Sequence, residues 1–221
     1  FMSASIIKNP SAPQVKPEII AKLKTLAVSL ISDSLHRNIG SVGLLPYHQP
    51  APMAGTAVTV RTRGGDNLAV LRAFDFCRPG DVMVIDAGGD VTNAIFGGIM
   101  SLGGEQMGLG GMIVDGAIRD VAEIRERSFP VYARGVNHRG PYKDGPGEIN
   151  VPINVGGMIV RPGDIIVGDQ DGLCAFDPSL AEEVIAKAVA QFAKEEATMA
   201  SIRNGKWDRS FLDALEARCM N

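Results

Sequence analysis

Two short segments of the chain combine residue types that can bind a metal ion and a small acid. The first is Arg119-Asp120, which follows the apolar run 111–114 and the predicted turn 115–118. A carboxylate in a turn after a strand suits a hard divalent cation such as Mg²⁺, which binds through one or two carboxylates and keeps several waters. The adjacent guanidinium of Arg119 offers a planar fork that matches a carboxylate.

The second segment is Gly97-Gly98-Ile99-Met100. Paired glycines at the start of a helix expose backbone N–H groups to an anion, and the helix dipole adds to the attraction. Together the two segments predict a site for a small oxo acid. In this site Asp120 binds the metal, Arg119 binds the carboxylate and enolate, and residues 97–100 hold a negatively charged group of the substrate.

The same residues also have a purely structural interpretation. Asp120 and Glu123 have the spacing of a capping-box variant at a helix start, and Arg119 can pair with a surface acid. Gly97 and Gly98 are equally typical of close packing between a helix and a strand. The residues alone therefore leave a structural role open beside the binding role.

Other polar residues are secondary candidates. Three acids stand at predicted strand ends and can line the same site, although turn formation is the favoured role for each: Asp86, Asp90 and Asp115. The polar, glycine-rich segment 135–150 carries His138, Arg139 and Lys143. This segment either closes over an anion or forms a subunit contact, and we favour the contact.

The elements that must position these residues alternate between strand and helix patterns. The predicted strands cover 56–62, 82–85 and 111–114, and the predicted helices cover 17–37, 67–74, 93–107 and 178–203, with a short helix opened by Arg119-Asp120. Asp177 is the predicted N-cap of the last long helix and Asn204-Gly205 its stop. Alternation of this kind predicts an α/β fold with its site at the carboxyl ends of the strands.

A repeated phrase supports this interpretation. Arg-Pro-Gly-Asp occurs at 78–81 and again at 161–164, and each copy precedes an apolar run that ends in an acid. Pro-Gly is favoured at the centre of a type II turn, because proline presets φ and glycine accepts a positive φ. Each copy therefore predicts a tight turn that leads into a buried strand.

Composition narrows the function classes. The chain has 221 residues, of which 45% are hydrophobic and 21% charged, as in ordinary globular proteins. With 22 basic and 25 acidic residues, the net charge of −3 lacks the basic excess of a nucleic-acid binder. The three cysteines are far apart and form no CxxC pair, which argues against a thiolate zinc site and suits a reducing compartment. We expect a cytoplasmic single domain over 1–221 without a membrane span.

The run Gly-Met-Ile-Val-Asp-Gly-Ala-Ile-Arg-Asp at 111–120 resembles the signature of a known family. That family contains the class II 4-hydroxy-4-methyl-2-oxoglutarate/4-carboxy-4-hydroxy-2-oxoadipate aldolases and also the regulator of ribonuclease E activity. The resemblance covers roughly residues 17–200 and continues through 133–135, 145–152, 161–164 and 169–172. The combined pattern is specific to the family but not to one activity.

The resemblance implies a compact β-sheet sandwich flanked by helices, of the swivelling β/β/α type, assembled as a trimer or hexamer with sites at subunit interfaces. It implies Mg²⁺ or Mn²⁺ held by Asp120 and waters, and Arg119 on the pyruvyl group of the substrate. It implies backbone N–H groups of residues 97–100 on the substrate carboxylate. An acid of the last helix, Glu195 or Glu196, is the match for a residue that reaches a neighbouring site.

The function that the resemblance implies is a metal-dependent carbon–carbon lyase acting on a small 2-oxo acid. Such an enzyme releases pyruvate by retro-aldol cleavage or decarboxylates oxaloacetate, because metal and arginine stabilise the pyruvate enolate. The alternative is a non-catalytic regulatory protein of the ribonuclease E regulator type. One departure bears on this choice. Family aldolases carry an acid that twenty intervening residues separate from the Arg-Asp pair, and this chain has Gly98 at that position.

Overall fold

The computed structural model describes residues 5–37 and 40–219. The strands in this part of the chain are β1 Ile6–Lys8, β2 Leu45–Pro46, β3 Met53–Thr62, β4 Asp81–Asp86, β5 Ala94–Phe96, β6 Gly111–Ile118, β7 Val131–Val136, β8 Gly147–Ile149, β9 Ile153–Val155, β10 Met158–Val160, β11 Ile165–Asp169 and β12 Gly172–Phe176. The α-helices are α1 Pro17–Leu23, α2 Val28–Ser34, α3 Leu68–Ala73, α4 Gly98–Gln106, α5 Val121–Arg125, α6 Ala181–Arg203 and α7 Phe211–Cys219. Short 3₁₀ turns follow α3 and precede α6.

One large mixed sheet organises the fold. Its main path runs β1-β8-β3-β4-β6-β7-β2, with β5 added beside the end of β6. The strands β3, β4, β6 and β7 run parallel to one another, and the hairpin β11–β12 pairs antiparallel with residues 53–56 of β3. The parallel core places several strand ends at one edge of the sheet, which is where sites form in such folds.

Both faces of this sheet are buried, and side chains of β4 alternate between them. Met83 and Ile85 belong to one core, which α3 and α5 cover. Val82 and Val84 belong to the opposite core, which the separate two-stranded sheet β9–β10 closes. A third core lies where α1, α2 and α6 pack on β11–β12. The α/β sandwich flanked by helices, as predicted, is confirmed.

The two Arg-Pro-Gly-Asp phrases form the predicted turns. Gly80 and Gly163 have φ of 88° and 89°, which favours glycine. In each copy the aspartate carboxylate accepts a hydrogen bond from the arginine N–H three residues earlier, at 2.8 Å for Asp81 and 2.7 Å for Asp164. The following strands are β4 and β11, both almost entirely buried.

Two predictions around the site segments were wrong. The helix predicted for 93–107 begins only at Gly98, because residues 94–96 form β5. These residues are fully buried and pair parallel with Ala117 and Ile118, so a tertiary contact overrides the helical pattern. For the same reason 115–118 is not a turn: β6 continues to Ile118.

The predicted helix 17–37 is also divided, into α1 and α2. Ala27 is extended, and the N–H of Val28 donates to Oδ2 of Asp169 at 2.8 Å, so a side chain from β11 starts the second helix. The last long helix agrees better with the sequence. Asp177 accepts from the N–H of Ser179 at 2.8 Å, a 3₁₀ turn covers 178–180, and α6 runs to Arg203. Helix α7 is not predicted by the sequence pattern.

Candidate functional site

The parallel pairing of β5 with β6 brings the two predicted segments together. Because both strands end at the same edge, residues 97–100 and Arg119-Asp120 leave the sheet side by side. The N–H of Arg119 donates to the carbonyl oxygen of Phe96 at 3.0 Å, which fixes the exit of one chain against the other. The site is therefore built from two consecutive strand ends and the first turn of α4.

Asp120 is held in an uncommon backbone conformation that turns its side chain toward α4. Its φ is 57° and ψ 36°, a left-handed conformation that only a small fraction of non-glycine residues adopt. Oδ2 accepts the N–H of Gly98 at 3.0 Å and lies 3.8 Å from Nε of Arg119. The side chain makes no capping bond to its own helix, α5, so it does not act as the capping box that its spacing also allowed.

The glycines before α4 leave room for carboxylates. A Cβ atom on Gly97 would overlap the Asp120 carboxylate, so this glycine is what lets the carboxylate approach the helix start. A Cβ atom on Gly98 would overlap the carboxylate of Glu123, with Oε1 only 3.0 Å away. The N–H of Gly98 is already engaged by Asp120. The remaining N–H groups of the first turn, from Ile99 and Met100, have no partner within the helix by its geometry.

A cleft of about 210 Å³ opens over these residues. It is smaller than the roughly 300–1,000 Å³ of pockets for drug-sized ligands, so it suits a small molecule. Its lining includes two cations and one acid, and consists of Asn67, Leu71, Phe96, Gly97, Ile99, Met100, Arg119, Asp120, Pro141 and Lys143. A larger cleft of about 500 Å³ lies between α1 and Pro79-Gly80, but its lining contains no acidic or metal-ligating side chain.

Asn67 supplies a polar atom that the sequence did not single out. The residue is 4% exposed, and its Nδ2 donates to the carbonyl oxygen of Ile95 at 2.9 Å, which fixes the amide orientation. Its Oδ1 is buried and has no hydrogen-bond partner within the described part of the chain. Unpaired buried acceptors are uncommon and costly. Asn67 lines the cleft, while this oxygen itself is shielded from solvent.

Lys143 reaches the cleft because a buried acid anchors its loop. Asp66 is fully buried, and its Oδ2 accepts the N–H groups of Asp144 at 2.7 Å and Gly145 at 3.0 Å. The same carboxylate pairs with Arg63 at 3.1 Å. For the segment 135–150 we favoured a subunit contact over closure on an anion, and the structure places its single lysine, Lys143, beside the cleft. No motif around Asp66 indicated this anchoring role.

The fit of a divalent metal rests on Asp120. Among the described residues no three His, Cys, Asp or Glu side chains converge on one point, so a site with several protein ligands is absent there. The side chain of Asp120 is 45% exposed, and only its Oδ2 is engaged by a backbone N–H. One accessible carboxylate with room for water matches how Mg²⁺ is usually held in proteins.

The secondary acids lie away from the cleft. Asp86 and Asp115 face each other across β4 and β6, and Asp115 forms a short ion pair with Arg134, which raises the pKa of that guanidinium. Asp90 accepts the N–H of Thr92 at 2.7 Å. The turn-forming role that we favoured is confirmed for Asp90 and for Asp86, whose Oδ1 accepts the N–H of Gly88 at 2.9 Å. It is wrong for Asp115, which lies inside β6.

Comparison with known proteins defines the class. The model of the RraA-like family, described as Aldolase/RraA, matches residues 28–174, and the chain belongs to this family. A protein of Halalkalibacterium halodurans named putative 4-hydroxy-4-methyl-2-oxoglutarate aldolase is 41% identical over 83% of this chain and 88% of its own length. The 4-hydroxy-4-methyl-2-oxoglutarate aldolase of Thermus thermophilus is 34% identical over 56% of this chain and 74% of its own.

A solved structure extends the likeness to the whole fold. RraAS2 of Streptomyces coelicolor, described as an unusual member of the RNase ES inhibitor RraA protein family, superimposes with a TM-score of 0.78 at 25% identity. The match covers 85% of this chain and 98% of that one. The fold is thus shared with a member of a ribonuclease-inhibitor family, and the sequence relatives include proteins named as aldolases. In residues 5–37 and 40–219, no helix has the length and apolar character needed to cross a membrane.

Proposed function

We propose that the protein is a divalent-metal-dependent carbon–carbon lyase that releases pyruvate from a small 4-hydroxy-2-oxo acid by retro-aldol cleavage and also decarboxylates oxaloacetate. The observation that carries this proposal is the convergence of Arg119, Asp120 and the start of α4 on one small cleft. The names of the relatives point to the same reaction class.

The charges of the cleft suit a small acid with more than one negative group. Arg119 and Lys143 line it from two sides, and the free N–H groups at the start of α4 add a third region of positive potential. Arg119 is 43% exposed and lies beside Gly140, whose missing side chain leaves the guanidinium room. We assign the ketone and carboxylate oxygens of the 2-oxo acid to Arg119 and the α4 N–H groups, and the distal carboxylate to Lys143.

Both reactions pass through the enolate of pyruvate. In retro-aldol cleavage the bond between C3 and C4 breaks, its electron pair moves into the C2–C3 bond, and negative charge accumulates on the C2 oxygen. A guanidinium positioned at that oxygen stabilises the charge in the transition state more than in the bound substrate. A Mg²⁺ or Mn²⁺ ion on Asp120 would supply Lewis-acid stabilisation of the same charge.

The test is pyruvate release from purified protein. Oxaloacetate and 4-hydroxy-4-methyl-2-oxoglutarate are each incubated with Mg²⁺ or Mn²⁺, and pyruvate is followed with a coupled dehydrogenase. We expect activity that EDTA abolishes and that Asp120→Ala lowers at least about 10²-fold, while Asp213→Ala on the exposed helix α7 leaves it unchanged. Absence of metal-dependent pyruvate release would refute the lyase proposal, and equal Mn²⁺ affinity of Asp120→Ala and wild type would refute the metal assignment.

The second candidate is a non-catalytic regulatory protein, which the likeness to a ribonuclease inhibitor favours. A glycine at position 98, where the resemblance expects an acid, is compatible with this alternative. It predicts no pyruvate release from either substrate, together with saturable inhibition of ribonuclease E by the purified protein. Asp120→Ala would leave that inhibition intact, since the regulator has no use for the metal site.

We also propose assembly into a trimer or hexamer. Apolar side chains remain exposed along the outer half of α6 and are suited to burial against another copy: Val189, Phe192, Met199 and Ile202. Glu195 and Glu196 lie on this same half of the helix and outside the lining of the cleft in their own chain. Light scattering during size-exclusion chromatography measures the assembly, and Phe192→Glu is expected to reduce it.

A further inference from the structure

Retro-aldol cleavage needs a group that accepts the proton of the C4 hydroxyl, and the cleft itself offers few choices. Asp120 is its one acidic lining residue, and that carboxylate is engaged by the Gly98 N–H and assigned to the metal. Arg119 and Lys143 are cations, and the amide of Asn67 is not basic. The proton acceptor must therefore come from the immediate surroundings of this cleft.

Glu123 is the nearest carboxylate to the start of α4 after Asp120. It lies in the first turn of α5, and its carboxylate fills the space that a side chain on Gly98 would enter, with Oε1 3.0 Å from the position of such a Cβ. Two carboxylates therefore approach Gly98: Asp120 accepts its N–H, and Glu123 packs where its side chain would begin. The side chain of Glu123 is 57% exposed, so it is free to exchange a proton with a ligand or with water.

A partly buried arginine lies beside Glu123 without forming a close hydrogen bond to it. Nη2 of Arg127 lies 4.0 Å from Oε1 of Glu123 and donates to Oγ of Ser101 at 2.5 Å. The Oγ of Ser101 in turn donates to the carbonyl oxygen of Gly98 at 3.0 Å. This network ties α5 to the first turn of α4, so the carboxylate and the glycine keep their relative position.

We propose, on the basis of the lyase function proposed above, that Glu123 is the catalytic base of the aldol cleavage. Its carboxylate takes the proton of the C4 hydroxyl, the O–H electron pair forms the new C4 carbonyl, and the C3–C4 pair leaves as the pyruvate enolate beside Arg119. The enolate is protonated at C3 to give pyruvate, and Glu123 returns its proton to water or to the enolate. Decarboxylation of oxaloacetate has no hydroxyl to deprotonate, so it depends less on this residue.

The experiment compares two reactions and one relocated acid. Glu123→Gln, the matched control Glu126→Gln at the exposed position just after α5, and the double variant Gly98→Asp/Glu123→Ala with its parent Glu123→Ala are assayed with 4-hydroxy-4-methyl-2-oxoglutarate and with oxaloacetate. Binding of Mn²⁺ is measured in parallel by calorimetry. Gly98 does not have the positive φ that would strain an aspartate, and the atoms that its Cβ would meet belong to Glu123 itself.

We expect Glu123→Gln to lower kcat for aldol cleavage at least about 10²-fold, the usual effect of losing a general base. The ratio of aldol cleavage to decarboxylation should fall at least tenfold, and Mn²⁺ affinity should change less than threefold. Adding Gly98→Asp to Glu123→Ala, which clears the space beside residue 98, should raise the rate of aldol cleavage at least tenfold. Glu126→Gln should match wild type.

Two results overturn the assignment while leaving the lyase function in place. One is a Glu123→Gln variant that cleaves the aldol substrate within threefold of wild type. The other is an equal loss of both reactions in the Glu123 variants with no gain from adding Gly98→Asp to Glu123→Ala, which would show that Glu123 only supports the fold of the site. A wild-type protein that acts on neither substrate refutes the proposed function and this inference together.

Discussion

Replacing Gly97 by alanine tests the contact between the start of α4 and the carboxylate of Asp120, which we propose as the metal ligand. A Cβ atom here would overlap the Asp120 carboxylate and lie 2.8 Å from Cγ of Arg119, and both contacts are with side chains rather than backbone. The φ of Gly97 is −148°, which alanine adopts without strain. The cost therefore falls on the position of Asp120.

The magnitude follows from the bond that is lost. Hydrogen bonds to charged groups contribute about 1.5–3 kcal/mol when buried. Because the Asp120 side chain is 45% exposed, we expect a loss of about 1 kcal/mol, which lowers the Tm of a chain this long by about 2–4 °C. A displacement of a catalytic group on the order of 1 Å costs about 10²-fold in rate, so pyruvate release should fall far more than stability.

The assay pairs thermal unfolding with Mn²⁺ binding and pyruvate release, and Gly103→Ala serves as its matched control. Gly103 lies in the interior of the same helix, α4, where a Cβ atom would meet nothing within 4 Å. Alanine there should stabilise the protein by about 0.5–1 kcal/mol and leave activity unchanged. The reasoning is refuted by a Gly97→Ala protein with wild-type activity and metal affinity, or by one that loses several kcal/mol of stability.

Three further predictions concern buried groups. Asp66→Ala removes a fully buried carboxylate that accepts hydrogen bonds from several donors. We expect the free energy of unfolding to fall by at least about 3 kcal/mol and the Tm in a thermal scan to fall by about 6–12 °C. A Tm shift under 2 °C would contradict the anchoring role. Burial lowers the pKa of His48, so the unfolded chain binds more protons than the folded one and stability falls as pH drops below about 6.5. His48→Asn keeps an acceptor for the N–H of Val131 but has no group that titrates in this range. In urea titrations, its free energy of unfolding should therefore fall less from pH 7 to pH 5 than that of the wild type. Burial raises the pKa of Cys77 to about 12, so at pH 8 iodoacetamide should modify the exposed Cys219 and spare Cys77, as mass spectrometry of the peptides will show.

Local sequence signals were sufficient for the features that depend on short-range chemistry. The Pro-Gly turns, the Asp177 cap and the buried strands after each turn all follow from φ preferences and apolar runs, and the structure confirms them. Arg119 and Asp120 were selected because their side-chain types suit a metal and a carboxylate. None of these features requires knowledge of which segments are neighbours in space.

The predictions that were wrong concern segments whose conformation is determined by contact with a distant part of the chain. Residues 94–96 are a strand because Ala117 and Ile118 lie beside them, and 115–118 remain in β6 for the same reason. Over so short an apolar run, the sequence cannot distinguish a buried helix segment from a buried strand, because every side chain is apolar in either case. The division at Ala27 likewise depends on a carboxylate from β11.

The sequence by itself determined the residue types of the site and the turns that lead into its strands, because these depend on side-chain chemistry and local backbone preference. Only the tertiary structure decided which groups meet. It placed Asn67 and Lys143 in the cleft from segments far apart in the chain. Asn67 is held there by its hydrogen bond to Ile95, and the loop of Lys143 by the N–H groups of Asp144 and Gly145, which donate to Asp66. It also set the carboxylate of Glu123 against Gly98, because that contact depends on how α5 packs on α4 and not on any spacing along the chain.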